Sequence, residues 1–180
     1  MPVGRFRSGY RASYRTPGTI WSSLPPPLAE VVFADAVVEV GTVVGNTKQA
    51  AKTCDDAVSW EIEETGAGID VRFTFYVSGG VTKKGKIKGN ADAESEYTFM
   101  AWDGSEWDTI DTFTFDTGTT TFSVDLLPIY TINGATQLRI YKVAGTNTKL
   151  VVDCFKVITD GIVGAAPVGV GGNSGFLLLL

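Results

Sequence analysis

Strict alternation of apolar and polar residues is the feature that most restricts how this chain can fold. In residues 71–77 the odd-numbered positions hold valine or phenylalanine, and the even-numbered ones hold Arg72, Thr74 and Tyr76. A period of two residues is typical of a β-strand with one face in a core and the other toward solvent. The pattern therefore predicts an antiparallel, half-buried strand. No stretch shows a sustained helical period of 3.6 residues.

Short segments of the same kind fill the central part of the chain. We predict strands at residues 37–44, 57–63, 71–77, 81–88, 97–102, 107–115, 121–127, 137–143 and 150–158. In the second of these, Val58, Trp60 and Ile62 should share one face, and residues near 46–53 should form a short helical turn at most. The four lysines of residues 81–88 favour an edge strand, because lysine discourages further pairing. Eight or nine strands at this spacing predict an all-β fold, a β-sandwich of the jelly-roll type.

Composition divides the chain into three parts. Residues 1–28 contain three consecutive prolines at positions 25–27 and predict an extended basic N-terminal arm. Residues 29–158 predict the jelly-roll β-sandwich. Residues 159–180 are rich in glycine and end in an apolar pentad, so we predict a Gly-rich C-terminal tail that docks its apolar end.

Charge is unevenly distributed along the chain. The net charge is -5, but the arm has four arginines and no acidic residue, whereas residues 29–180 hold 11 basic and 20 acidic residues. A body this acidic argues against a nucleic-acid-binding protein, which would present a basic face. The apolar pentad is too short to cross a bilayer, so we expect no membrane insertion. The contrast suggests that the arm binds an acidic protein surface.

The sequence provides little for catalysis. It contains no histidine, the commonest general base and zinc ligand. No catalytic motif or cofactor motif is recognisable, so we predict that the protein is not an enzyme. Cys54 and Cys154 could form one disulfide, but without a cysteine framework two free buried thiols are the favoured prediction. No apolar segment follows the charged N-terminus, and we therefore expect a protein that is made and used without export.

The order of the strand signatures is similar to that of a known family. The chain resembles galactose-binding-like jelly rolls, found in carbohydrate-binding modules and in accessory structural proteins of tailed bacteriophages. The resemblance covers residues 36–158 and rests on Val40-Gly41-Thr42-Val43, Asp55-Asp56 before Trp60, Gly68–Phe75, Gly85, Gly89, Tyr97–Trp102, Trp107-Asp108-Thr109-Ile110, Leu138-Arg139-Ile140 and Val152–Val157.

Taken with the two extensions, the resemblance implies a structural virion protein of a tailed bacteriophage. We expect a homo-oligomeric decoration or cement protein on the capsid, or a minor tail or collar component, located in the virion after assembly in the host cytoplasm. Its partners would be capsid or tail subunits, and the linked arms would bind them with avidity. The predicted partner-anchoring residues are Arg5, Phe6, Arg7, Tyr10, Arg11, Tyr14, Arg15, Phe176, Leu177, Leu178, Leu179 and Leu180.

The alternative is a carbohydrate-binding module or adhesin that recognises glycans of a host surface. Trp102 and Trp107 flank one hairpin and could stack on sugar rings. The competing interpretation places them, like Tyr97 and Tyr130, in the core or in a cross-strand aromatic pair. Strand parity does not decide clearly between the two, and we favour the second.

The resemblance also leaves room for a structural calcium, since the similar modules often hold one. The candidate ligands are Asp55, Asp56, Glu61, Glu63, Glu64 and Asp153. They do not form a local calcium loop, so any such site would have to be assembled from separate strands. We therefore predict no metal site from the sequence. A pair of these acids working as a glycosidase is weaker still, because nothing sets the spacing that this chemistry needs.

Overall fold

A computed structural model describes residues 28–145 and 147–160 of the chain. It contains twelve β-strands and two short 3-10 helices, at Ala50–Lys52 and Pro128–Tyr130. The strands are β1 (Ala29–Val32), β2 (Asp35–Val40), β3 (Thr42–Gly45), β4 (Trp60–Glu63), β5 (Ile69–Tyr76), β6 (Thr82–Ala91), β7 (Ser95–Trp102), β8 (Trp107–Phe115), β9 (Thr120–Asp125), β10 (Thr131–Ile132), β11 (Ala135–Lys142) and β12 (Lys149–Thr159). The described part contains no helix long and apolar enough to cross a bilayer. The predicted partner-anchoring residues of both extensions lie outside the described residues.

The strands form two antiparallel sheets that face each other, which confirms the predicted jelly-roll β-sandwich. Sheet A has the order β3-β4-β12-β6-β9, and β1 also pairs with β12. Sheet B has the order β2-β5-β11-β7-β8, and β10 also pairs with β11. Ala29 at the start of β1 lies opposite Thr159 at the end of β12, so the described chain begins and ends on neighbouring strands.

Aromatic rings from both sheets fill the core. Phe73 of sheet B meets Phe155 of sheet A edge to face, with ring centroids 4.6 Å apart. Phe113 of sheet B stacks on Phe122 of sheet A at 4.4 Å. Such pairs contribute about 0.5–1.5 kcal/mol each beyond the burial of their area. The apolar residues of the predicted period-2 strand 71–77 are all buried, as the alternation requires.

A glycine on β6 makes room for one of these rings. A Cβ atom at Gly85 would lie 2.6 Å from the Cζ atom of Phe99. That distance is far below van der Waals contact, so a larger residue would displace the ring. Gly85 therefore fixes how closely β6 and β7 approach across the core.

Two predictions about individual strands were wrong. Strand β6 is not an edge strand, because it lies between β12 and β9. The lysines of β6 do not prevent it from pairing with a strand on each side. Lys84 and Lys88 make ion pairs with acids on the outer face of sheet A. Val58 does not share a face with Trp60 and Ile62, since it precedes β4 and its amide is held by the Asp56 carboxylate in a turn.

The prediction of two free thiols was also wrong. Cys54 and Cys154 form a disulfide with their Cα atoms 5.0 Å apart. Cys154 lies on β12, and Cys54 lies in the loop before β4, a neighbour of β12 in sheet A. Strand pairing thus brings together two cysteines that are 100 residues apart in sequence.

A buried ion pair fastens the chain between β11 and β12 to the end of β4. The side chains of Glu64 and Lys142 are 1% and 8% exposed, and Lys142 Nζ lies 2.6 Å from Glu64 Oε2. Glu64 also accepts hydrogen bonds from the amide of Gly145 and from the amide and hydroxyl of Thr148. Burial raises the pKa of Glu64, but these hydrogen bonds outweigh burial and lower the pKa to about 2.

Replacing Glu64 should test this pair. The lowered pKa means that ionised Glu64 stabilises the fold above its ordinary pKa of 4.5, and that this stability is lost as the pH falls toward 2. We expect Glu64→Gln to lower the free energy of unfolding at neutral pH by about 3 kcal/mol, because Lys142 would remain buried without its partner. Urea unfolding measured against pH checks this.

The matched control is Glu63→Gln, which changes the exposed neighbouring acid. It should alter the free energy of unfolding by less than about 0.5 kcal/mol. Equal effects of the two substitutions would contradict the special role of Glu64.

The disulfide generates a second prediction. In the chain-entropy model, a cross-link that closes a loop this long stabilises a domain by about 2–5 kcal/mol. Replacing both cysteines by alanine should therefore lower the free energy of unfolding by an amount in this range, measured without reductant. Alkylation of the denatured, unreduced wild type should modify neither cysteine, and modification of both would contradict the disulfide.

Candidate functional site

The outer face of sheet B carries a group of aromatic and charged side chains that the core does not use. We call this group the sheet B platform; it consists of Trp102, Trp107, Arg139, Tyr141 and Asp70. Trp102 and Trp107 end β7 and begin β8, Arg139 and Tyr141 lie on β11, and Asp70 lies on β5. These four strands are neighbours in the order β5-β11-β7-β8, so the platform crosses most of the sheet.

A β-bulge explains why Trp107 faces outward. Phe99 of β7 lies opposite Asp111, whereas the next residue, Met100, lies opposite Thr109, so that Ile110 is an extra residue in β8. One extra residue reverses the alternation of the strand from that point. Phe113 is therefore buried in the core, whereas Trp107 lies half-buried on the outer face.

The two tryptophans form a cross-strand pair. Trp102 and Trp107 are directly opposite in the register of β7 and β8, and their ring centroids lie 5.4 Å apart at an interplanar angle of 56°. Both side chains are half-buried, so part of each ring remains open to solvent. The two tryptophans therefore form the cross-strand pair of one interpretation. Their rings are also partly exposed, as the alternative interpretation of stacking on a sugar requires. Tyr97 and Tyr130, by contrast, are buried.

An arginine lies beside this pair. The Arg139 guanidinium lies 5.7 Å from the ring centroid of Trp107 and 5.2 Å from that of Tyr141. Both distances fall within the range of cation–π contacts. Arg139 thereby connects the aromatic rings of β8 and β11 into one surface.

Asp70 fixes the position of that arginine. Arg139 Nε donates to Asp70 Oδ1 at 2.7 Å, and Arg139 Nη2 donates to Asp70 Oδ2. The hydrogen bonds to Asp70 raise the pKa of Arg139 and, with burial acting against them, keep the side chain charged. The pair uses Nε and Nη2, and the described residues offer Nη1 no acceptor, so Nη1 can donate to a ligand.

Sequence analysis missed Arg139, Tyr141 and Asp70. Leu138 and Ile140 point inward, and because side chains alternate along a strand, Arg139 and Tyr141 point outward. The outward direction of these two side chains was therefore predictable from the sequence. The Asp70–Arg139 pair spans 69 residues, and no local pattern indicates it.

Four of the six acids named as calcium ligands are in contact with lysines. Asp55 and Asp153 both contact Lys88, Glu61 contacts Lys149, and Glu64 contacts Lys142. Each of these carboxylates thus has a lysine partner.

A different group of three carboxylates, which the sequence analysis did not name, lies in the β7–β8 hairpin. Oxygen atoms of Asp103, Glu106 and Asp108 lie within 4.8 Å of one another. Asp103 accepts hydrogen bonds from the amides of Glu106 and Ser105, which lower its pKa. Tyr130 donates its hydroxyl to Asp108 at 3.1 Å. These contacts hold the hairpin that carries the two tryptophans.

Comparison with known proteins identifies the fold. No protein-family model and no curated protein matches the sequence. Among solved structures, a carbohydrate-binding module of family 29 is 9% identical, with a TM-score of 0.53 over 73% of this chain and 89% of that one. A mutant of such a module complexed with cellulohexaose is 10% identical, with a TM-score of 0.52 over 73% of this chain and 91% of that one.

A further mutant, complexed with mannohexaose, is 9% identical, with a TM-score of 0.50 over 73% of this chain and 92% of that one. At these identities the likeness shows the fold alone. The predicted similarity to carbohydrate-binding modules is thereby confirmed for the fold.

The platform geometry predicts a spectroscopic effect of Asp70. Asp70→Asn should weaken the bidentate contact that holds Arg139 against Trp107 and thereby change the near-ultraviolet circular dichroism of the tryptophans. Glu96→Gln is the matched control, because Glu96 is an exposed acid on β7 of the same sheet and does not contact Arg139. A spectrum changed equally by both variants, or by neither, would contradict the proposed link between Asp70 and the ring of Trp107.

Proposed function

We propose that this protein is a non-catalytic carbohydrate-binding module that holds a neutral oligosaccharide on the sheet B platform. The observation that carries the proposal is the pair of half-exposed tryptophan rings beside a fixed arginine. A pyranose ring has C–H groups on its faces and hydroxyl groups around its edge. It therefore needs a flat apolar surface next to oriented polar groups, and Trp102, Trp107 and Arg139 together supply both.

The polar groups of the platform are suited to sugar hydroxyls. Arg139 is held in one orientation by Asp70, so little conformational entropy is lost when its remaining N–H groups bind a ligand. Gln137 lies two residues before Arg139 on the outward side of β11, and it makes no hydrogen bond to another described residue. Its amide offers a donor and an acceptor next to the aromatic rings.

The charge of this face favours a neutral glycan over an acidic one. Arg139 is paired with Asp70, and Arg72 is paired with Glu39. Glu96 is exposed on the same face of β7 and has no ion-pair partner among the described residues. An anionic sugar would therefore meet neutralised arginines and an unpaired carboxylate, which repels it.

The disulfide suits a protein that works in an oxidising environment, as carbohydrate-binding proteins outside cells do. An oxidising environment outside cells differs from the expectation, drawn from the sequence, that the protein is made and used without export. The described chain begins and ends on the neighbouring strands β1 and β12.

A structural role in a bacteriophage virion stays a prediction. It rests on the arm and tail residues from Arg5 to Arg15 and from Phe176 to Leu180, which lie outside the described residues. A capsid or tail component that binds host-surface glycans would be compatible with the platform, but the platform itself requires no virion.

Alanine substitution of the tryptophans tests the proposed function. On an array of neutral and acidic glycans that includes mannohexaose and cellulohexaose, we expect the wild type to bind one or more neutral oligosaccharides. Trp102→Ala and Trp107→Ala should each weaken binding about tenfold or more, because a stacked ring contributes on the order of 1–3 kcal/mol.

The control is Val43→Ala, which removes an exposed apolar side chain from β3 in sheet A and should leave binding unchanged. Absence of binding to every glycan by the wild type would count against the proposal. So would equal binding by the wild type and both tryptophan variants.

A further inference from the structure

A polar cleft lies on the outer face of sheet A, on the opposite side of the sandwich from the platform. Its volume is about 440 Å³. Strands β6 and β12 form its floor, and the loop before β4 forms one wall. The side chains that provide its hydrogen-bonding groups are Asp55, Ser59, Lys88, Asn90, Thr119 and Asp153.

The loop that forms the wall is held in place at several points. The disulfide ties Cys54 to β12, next to Asp153 on the floor of the cleft. The Asp56 carboxylate accepts the amide of Val58 at 3.0 Å and closes a turn. Asp55 and Ala57 have φ angles of 65° and 61°, in the left-handed region that is costly for alanine. Strained backbone of this kind often occurs at binding sites.

The polar groups of the cleft form two separate sets of contacts. Lys88 Nζ contacts Asp55 Oδ1 and lies 2.6 Å from Asp153 Oδ2. On the other side, Asn90 Nδ2 donates to Thr119 Oγ1 at 3.1 Å. This pairing leaves the Asn90 carbonyl oxygen and the second oxygens of both carboxylates as acceptors. The Ser59 hydroxyl can donate or accept.

The composition of the cleft limits what it can bind. Two carboxylates facing one ammonium group disfavour an anion. Lys88 contacts both carboxylates, and its positive charge between them repels a divalent cation. The lining residues include the small apolar side chains of Ala57 and Val151 but no aromatic ring in the described part of the chain, so a flat hydrophobic ligand has no matching surface.

We propose that this cleft is a second ligand site, which binds the hydroxyl edge of a single neutral sugar ring or a similar polyol. Two adjacent hydroxyl groups of such a ligand can each donate to a carboxylate oxygen and accept from Lys88 or Ser59. Recognition here depends on hydrogen bonds, whereas recognition on the platform depends on ring stacking. The proposal does not rest on the function proposed for the platform, because the two sites use opposite sheets.

Together with the function proposed for the platform, on which this consequence rests, the cleft gives the protein a further capability. A module with a binding site on each face of the sandwich can hold two separate glycan chains at once. Such bivalent contact increases the apparent affinity for a surface that displays many copies of the same sugar.

Nuclear magnetic resonance titration of the full chain tests the proposal. Glucose, galactose, mannose and xylose are each added at millimolar concentrations, and calcium chloride is added in a separate series. We expect at least one sugar to shift the backbone amide signals of Gly89, Asn90 and Thr119 around the cleft. Lys88→Ala should raise the dissociation constant about tenfold or more, because it removes a charged hydrogen-bond donor.

Lys86→Ala is the matched control, since Lys86 faces outward two residues before Lys88 on the same strand but does not line the cleft. It should leave the dissociation constant unchanged. Asp55→Asn, at an exposed loop position whose left-handed φ asparagine tolerates, provides a second variant in case Lys88→Ala does not fold, and it should also weaken binding.

The proposal is overturned if none of the four sugars shifts the cleft signals, if only calcium shifts them, or if Lys86→Ala and Lys88→Ala behave alike. Trp107→Ala separates the two sites, because it should leave the cleft signals unaffected. Cleft signals that respond to sugar while the platform binds no glycan would contradict the platform function alone.

Discussion

The contact between Phe73 of β5 and Phe155 of β12 is the interaction on which the rest of the sandwich depends. It joins an inner strand of sheet B to the central strand of sheet A, with the ring centroids 4.6 Å apart. Because side chains alternate along a strand, an inward Phe73 requires an outward Arg72, and an inward Leu138 and Ile140 require an outward Arg139. The packing of the core thus determines which residues the platform presents to solvent.

The alternation of side chains gives the outer faces of the two sheets different chemistry. On sheet B the β-bulge at Ile110 lets one strand supply Phe113 to the core and Trp107 to the surface. On sheet A, Lys84 and Lys88 of β6 face outward, and their acidic partners come from neighbouring strands and a loop. One face is therefore aromatic with its arginines neutralised, whereas the other is polar and charged. This difference in chemistry is the basis for assigning them different modes of sugar binding.

The sequence allowed the sandwich and most of its strands to be predicted, because alternation in a strand such as β5 is a local signal. Features that depend on strand neighbours could not be predicted in the same way. The central position of β6, the disulfide and the Asp70–Arg139 pair all depend on which strands lie side by side. The bulge hid the outward direction of Trp107, since it shifts the alternation within β8 by one residue. The outward positions of Arg139 and Tyr141, by contrast, follow from simple alternation along β11, in which Leu138 and Ile140 are buried.

The most direct test of glycan binding on the platform is to follow the indole N–H signals of the tryptophans during titration with the oligosaccharide that binds most tightly. Trp102 and Trp107 lie on the platform, whereas Trp60 is buried in the core and serves as an internal reference. The account predicts that the Trp102 and Trp107 signals shift together with a single dissociation constant while the Trp60 signal stays in place. Saturation of the protein with glycan without movement of the Trp102 and Trp107 signals would contradict it.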